Sequence, residues 1–152
     1  LRIHECFRMD TAAAEQALRE NALTVKGKGG KVRTVPIEDE RILMMLKRVL
    51  AQTERGHKLL VPDGMPTDRA INALELFIYR YRNEICDEGS DRCLTFHGLR
   101  HTYAAEKYTR LTEDGMSAID AHYAVSRLLG HERADVTNIY LASVRKRGRD
   151  GE

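Results

Sequence analysis

The sequence predicts an α+β fold that is mainly helical, a bundle of helices with a small antiparallel β-sheet at one edge. Three observations lead there. Apolar residues recur with helical period in several separate segments. One glycine-dense turn lies between two short stretches with alternating or β-branched residues. The 152 residues are 42% hydrophobic and 32% charged, enough for one real core beneath a wet surface.

Taken in order, Leu1, Ile3, Cys6, Phe7 and Met9 have mixed spacing and suit a short helix. Asp10 or Thr11 can cap a second, alanine-rich helix that runs to about Arg19. Leu23–Lys26 and Lys31–Val35 read as two strands around Gly27-Lys28-Gly29-Gly30, a hairpin that Pro36 ends. From Glu38 to about Gln52, the apolar set Ile42, Leu43, Met45, Leu46, Val49 and Leu50 has helical period. Leu59-Leu60-Val61 is a short apolar run closed by the turn signal Pro62-Asp63-Gly64.

Thr67 is placed to cap a long helix with Ala70, Leu74, Phe77, Ile78, Tyr81 and Ile85 on one side. Residues 88–91 read as a loop. The next helix carries His97, with His101, Ala104, Tyr108 and Leu111 on the same side, and that side is expected to turn inward. Ser117 and Asp120 resemble a capping box for a helix with Ala118, Ala121, Val125 and Leu128, and Gly130 suits its left-handed C-cap. A last short helix should carry Tyr140. The tail 145–152 is basic, contains glycines and is expected to be mobile.

Composition excludes some classes. The sequence has neither an apolar run of membrane-spanning length nor a signal-peptide pattern, and its three cysteines lack a CxxC pair. A reduced, intracellular chain is expected. The net charge of +2 is too small to announce nucleic acid, but Lys26, Lys28, Lys31 and Arg33 crowd the hairpin, and Arg145, Lys146, Arg147 and Arg149 crowd the end. Taken alone, such segments read as solvated basic stretches. The chain opens at Leu1-Arg2-Ile3 instead of methionine, which points to a piece of a longer protein.

The chemistry-bearing residues concentrate between Thr95 and Tyr140. His97 and Arg100 are three apart, about 60° around a helix. His131 follows a helix end, and Tyr140 comes nine residues later. A tyrosine attacking a phosphodiester needs help losing a proton whose pKa is near 10. Fixed donors must meet the charge that develops on the phosphate oxygens, and an arginine fork suits this. The departing sugar oxygen needs a proton, which a lysine of lowered pKa can supply. The chain offers Tyr140 as nucleophile, Arg100 and Arg2 as phosphate clamps, His97 as base, His131 as a further donor and Lys28 as acid.

These residues resemble the boxes of the tyrosine recombinases, or phage integrases. Leu1-Arg2-Ile3-His4-Glu5 resembles the first arginine box, Gly27–Pro36 the hairpin with the catalytic lysine, His97-Gly98-Leu99-Arg100 the His-x-x-Arg box, and Leu129-Gly130-His131 with Tyr140 the closing box. All four occur in the family's order across nearly the whole chain. The alanine-rich segment 11–21 departs from the shorter, aromatic and acidic link of many members.

The resemblance implies a catalytic domain over 1–144 that cuts and rejoins DNA strands through a 3′-phosphotyrosyl link, with no cofactor or metal. It implies Glu5 as a buttress for Arg2, double-stranded DNA as partner, and a homotetramer on two duplexes for the full-length protein. It also implies a cytoplasmic, nucleoid-associated setting in a prokaryote. Lys26, Lys31 and Arg33 are expected to contact the DNA backbone. A fragment without an upstream DNA clamp is expected to be inactive alone.

Plainer readings stand beside these. His97 and His101 have zinc-compatible spacing but lack a completing carboxylate or cysteine, so no metal is expected. His101 and His122 suit satisfied polar groups in a packed interface, and His4 and His57 suit the surface. Tyr79, Tyr81, Tyr103, Tyr108 and Tyr123 suit packing, and the cysteines suit inert thiols. Rival functions are an accessory protein of the same fold that binds DNA without cutting it, and a type IB topoisomerase.

Overall fold

A computed structural model describes residues 1–85, 94–131 and 138, with Lys28 described by its backbone alone. By internal contacts the chain forms two compact units, Leu1–Leu94 and Thr95–Glu152.

The first unit begins with α1 (Ile3–Cys6), α2 (Thr11–Glu20), β1 (Ala22–Lys26) and β2 (Val32–Pro36). It continues with α3 (Glu40–Leu50) and α4 (Thr67–Ile85). Asp10 caps α2, accepting from the Ala13 amide at 2.8 Å, while the Thr11 hydroxyl accepts from the Gly56 amide at 2.8 Å. Asn21 ends α2 with φ 49°, and its carbonyl accepts from the Ile37 amide at 2.8 Å, where the chain leaves β2. The strands pair antiparallel from Ala22↔Pro36 to Lys26↔Val32. Between them lies a 3-10 turn, Lys28–Gly30, in which Gly29 and Gly30 have φ of 72° and 78°. That turn requires glycine, because a Cβ is strained in the left-handed region.

α2 packs on β1 and α3, and its buried residues are Thr11, Ala14 and Ala17. A second cluster joins Phe7 to Ala70 and Ile71 of α4, with Ile3, Cys6, Val61, Met65 and Leu74 packed against it. It anchors α1, and so the start of the chain, on the first turns of α4. Burial pushes the Cys6 thiol up from its ordinary pKa.

The amphipathic patterns of α3 and α4 overstate their burial. No residue of α3 is buried, and Met45 is 66% exposed. On α4 only Ala70 and Ile71 are buried, while Phe77, Tyr81 and Ile85 are exposed. Thr67 is the first residue of α4 and its hydroxyl accepts from Lys58 Nζ at 2.7 Å; the Arg69 and Ala70 amides donate to the Pro66 carbonyl at 3.0 and 3.2 Å.

In the second unit, α5 (Phe96–Glu113) and α6 (Ala118–Leu129) pack on each other around Ala104, Val125 and Leu129. Tyr103, Tyr108 and Leu111 close the cluster. Ser117 caps α6, its hydroxyl accepting from the Asp120 amide at 3.1 Å. The side of α5 expected to turn inward does so at Ala104, Tyr108 and Leu111, with His101 half-buried, but at the first turn Arg100 is buried and His97 is exposed. On α6 the buried set is Ala121, Val125, Ser126 and Leu129, so Leu129 takes the place expected for Leu128, and Ala118 is exposed. One Nε2 atom, that of His122, is buried with no hydrogen-bond partner among the described residues, so this imidazole is not the satisfied group expected. Among the described residues no helix is long and apolar enough to cross a membrane.

Candidate active site

Each unit builds one polar cluster from the residues singled out above. In the first unit it centres on Glu5, a buried carboxylate in α1. Its Oε2 accepts from the Arg2 backbone amide at 2.7 Å, the reach-back half of a capping box, and its Oε1 meets Arg2 Nη1 at 3.4 Å. Arg33 of β2 closes on the same group with a two-pronged contact, Nη1 to Oε1 at 3.0 Å and Nη2 to Oε2 at 2.7 Å.

Burial, the largest single influence, pushes the Glu5 carboxyl pKa up. The Arg33 hydrogen bonds, the Arg2 amide and the two guanidinium charges together outweigh it and hold the group at about 2. Arg2 keeps 42% of its side chain exposed, whereas Arg33 keeps 11%.

That inward turn of Arg33 follows from strand alternation. Val35 and the cross-strand residues Leu23 and Val25 lie on the more buried face of the hairpin, and Arg33 pairs with Val25. Lys26 and Lys31 are exposed. Lys28 opens the turn, and its side chain lies outside the described part of the structure.

In the second unit the cluster forms where the start of α5 meets the end of α6. Thr95 caps α5, its hydroxyl accepting from the Gly98 amide at 2.8 Å. A Cβ on Gly98 would stand 3.1 Å from that oxygen, so glycine lets the cap approach closely. The cap sets the first turn, which exposes His97 and turns Arg100 inward until only 4% of it is exposed. His97 stacks edge-on against His101, ring centres 4.8 Å apart.

At the other helix, Gly130 adopts φ 69° and ψ 40°, and the Gly130 and His131 amides donate to the Arg127 and Ser126 carbonyls at 3.0 and 3.1 Å. This Schellman pattern turns the chain so that the Leu129 carbonyl and His131 face Arg100. Arg100 Nη2 donates to the Leu129 carbonyl and lies 3.3 Å from His131 Nε2. Arginine has no acceptor, so in that second contact Nε2 can only be the accepting atom. Both contacts are made by Nη2, so the Arg100 guanidinium is tied to the end of α6.

The structure therefore joins Arg2, Glu5 and Arg33 in one cluster and Arg100 and His131 in another. Tyr140 lies outside the described residues, as do Cys86, Cys93 and the tail 145–152.

Sequence reasoning missed one group, Glu54, His57 and Asp63 in the connection between α3 and α4. Their ligand atoms lie within 4.8 Å of one another, and all three residues are exposed. His57 Nδ1 sits 2.5 Å from Asp63 Oδ1, and this contact raises the imidazole pKa. Among the described residues this is the cluster with donors suited to a metal, but the His57–Asp63 hydrogen bond accounts for its geometry. The i, i+3 spacing of Glu54 and His57 was its only trace in the sequence.

A family model described as the phage integrase family matches residues 1–147. The chain is 29% identical over 130 residues to a protein of Pseudomonas putida described as tyrosine recombinase XerD, covering 81% of this chain and 39% of that protein. A crystal structure described as XerA recombinase is similar in fold at a TM-score of 0.67 and 20% identity, covering 99% of this chain and 53% of that one. The chain thus spans well under two thirds of either relative.

Proposed function

This chain belongs to the phage integrase family, and from that premise we propose that it is the catalytic part, over 1–144, of a tyrosine-type site-specific DNA recombinase. Its reaction is cleavage and rejoining of DNA strands. The observation that carries the reading is the Arg100–His131 cluster, in which two boxes 31 residues apart are joined by a buried arginine.

In the proposed reaction, the Tyr140 phenolate oxygen attacks the scissile phosphorus and the bond to the 5′ oxygen breaks. The DNA 3′ end is left as a phosphotyrosine. The exposed His97 assists removal of the phenolic proton. Arg2 and Arg100 meet the charge on the non-bridging oxygens, and His131 hydrogen-bonds one of them through a ring N–H. Lys28 protonates the leaving oxygen. The energy of the broken ester is kept in the protein link, so rejoining needs neither ATP nor a metal. Removing any one such donor should cost about 10²–10³ in rate.

Glu5 orients Arg2 by its backbone, and Lys26 and Lys31 contact the DNA backbone. The full-length protein acts as a homotetramer on two duplexes, in a cytoplasmic, nucleoid-associated setting. The test is a nicked suicide duplex offered to the full-length protein. A covalent adduct that disappears in Tyr140→Phe is expected. Salt-sensitive binding without an adduct would instead indicate a non-cleaving accessory protein, and supercoil relaxation without strand exchange a topoisomerase.

A further inference from the structure

We propose that Arg33 is a positioning residue, which locks the hairpin of Lys28 to the arginine box of Arg2 through the shared carboxylate of Glu5. Its contribution to strand cleavage is made through that lock and not by touching DNA. The inference rests on the function proposed above and replaces, for Arg33, the expected role of backbone contact.

Four observations converge. Arg33 lies on the inner face of β2, opposite the buried Val25, with 11% of its side chain exposed. A phosphate contact needs the guanidinium at the surface, where Lys26 and Lys31 are. Its contact with Glu5 uses both carboxylate oxygens across 28 residues of chain. Fork-on-fork pairing of this kind fixes direction as well as distance.

The same carboxylate holds Arg2, firmly at its backbone amide (2.7 Å) and loosely at its guanidinium (3.4 Å). Because Arg33 takes up most of the Glu5 charge, the half-exposed Arg2 fork stays available to a phosphate. Without Arg33, the carboxylate would turn its charge on Arg2 and compete with the substrate for it.

The last observation links the pair to the turn. A Cβ placed on Gly27 would stand 3.4 Å from Arg33 Nη1 and 3.6 Å from Glu5 Oε1, so the backbone just before Lys28 rests against the ion pair. The Gly27 amide donates to the Lys31 carbonyl at 2.8 Å and closes the turn at that point. With the carboxyl held at about 2, the lock stays ionised through the neutral range and is not a pH switch there.

The experiment uses the full-length protein on the nicked suicide duplex and reads three quantities: single-turnover adduct formation at saturating DNA, the salt dependence of DNA affinity, and stability to urea. Arg33→Gln should slow adduct formation about 10²-fold, the scale of a misplaced catalytic group, with the salt slope unchanged. In a Glu5→Gln background the same substitution should have little further effect on rate, because its route of action is already gone.

A slope reduced by about one with normal cleavage once DNA is saturating would make Arg33 a phosphate contact and overturn the proposal. So would a less stable Arg33→Gln that cleaves at the wild-type rate. If Arg33→Gln does not fold, Arg33→Lys carries the test. It keeps the charge but not the two-pronged geometry, and wild-type cleavage by it would also overturn the lock. Failure of the underlying function looks different: the wild-type protein would form no adduct, or the adduct would survive Tyr140→Phe.

Discussion

Replacing Glu5 by glutamine keeps the shape of the side chain and removes its charge, so the stability it loses can be worked from the geometry. In the folded chain the carboxyl lies at about 2, against 4.5 for an ordinary glutamate. A depression of that size corresponds to about 3 kcal/mol of stability. An independent estimate agrees, since breaking a buried ion pair by removing one partner costs about 3–5 kcal/mol. The Arg33 guanidinium left behind is mostly buried and has lost the charge of Glu5.

The sign follows from the direction of the shift. A group lowered by folding stabilises fully above its unfolded pKa, and that stability is lost as pH falls through the folded value. The gap between wild type and Glu5→Gln should therefore be about 3 kcal/mol near neutral pH and shrink from pH 4.5 toward about 2. Urea unfolding followed by far-ultraviolet circular dichroism measures it, because the chain has no tryptophan for fluorescence. A gap unchanged between neutral pH and pH 3, or absent at neutral pH, would refute the reasoning.

Three further outcomes can be checked. Arg100→Ala should destabilise the second unit by about 1.5–3 kcal/mol, the worth of a hydrogen bond from a charged donor, and abolish the covalent adduct; an unchanged urea midpoint would contradict the geometry. Gly130→Ala places a Cβ at φ 69° and should cost about 1–2 kcal/mol, with His131 displaced from Arg100; thermal unfolding and the rate of adduct formation report the two effects. In an NMR titration, His57 should change charge above its ordinary 6.5, and Asp63→Asn should bring the midpoint back down, because the Asp63 contact is the main cause. Any stability that contact adds is complete below the ordinary histidine pKa and lost as pH rises through the raised one.

Local signals in the chain were sufficient where the deciding interaction is short-range. Asp10 and Ser117 cap the helices expected of them, and Gly130 takes the left-handed C-cap position. The hairpin between Ala22 and Pro36 follows from its glycines. Each of these is settled within four or five residues, by a side-chain cap or by the freedom of a residue without Cβ. Periodicity went wrong where it had to choose a rotation. On α5 the expected stripe holds at Ala104, Tyr108 and Leu111 but its first turn buries Arg100 and not His97, and α6 buries Leu129 more deeply than the expected Leu128.

By itself, the sequence determined the order of the elements, the caps and turns that bound them, and the residue types of the boxes, because those depend on neighbours along the chain. The tertiary structure alone decided which cations face inward. Arg33 belongs to a basic hairpin by composition, yet it turns onto a carboxylate 28 residues away. Arg100 is gripped by a carbonyl and an imidazole about thirty residues on. A charge leaves water only when a partner is delivered to it, and for Arg33 and Arg100 that partner lies far along the chain, where no local pattern records the delivery.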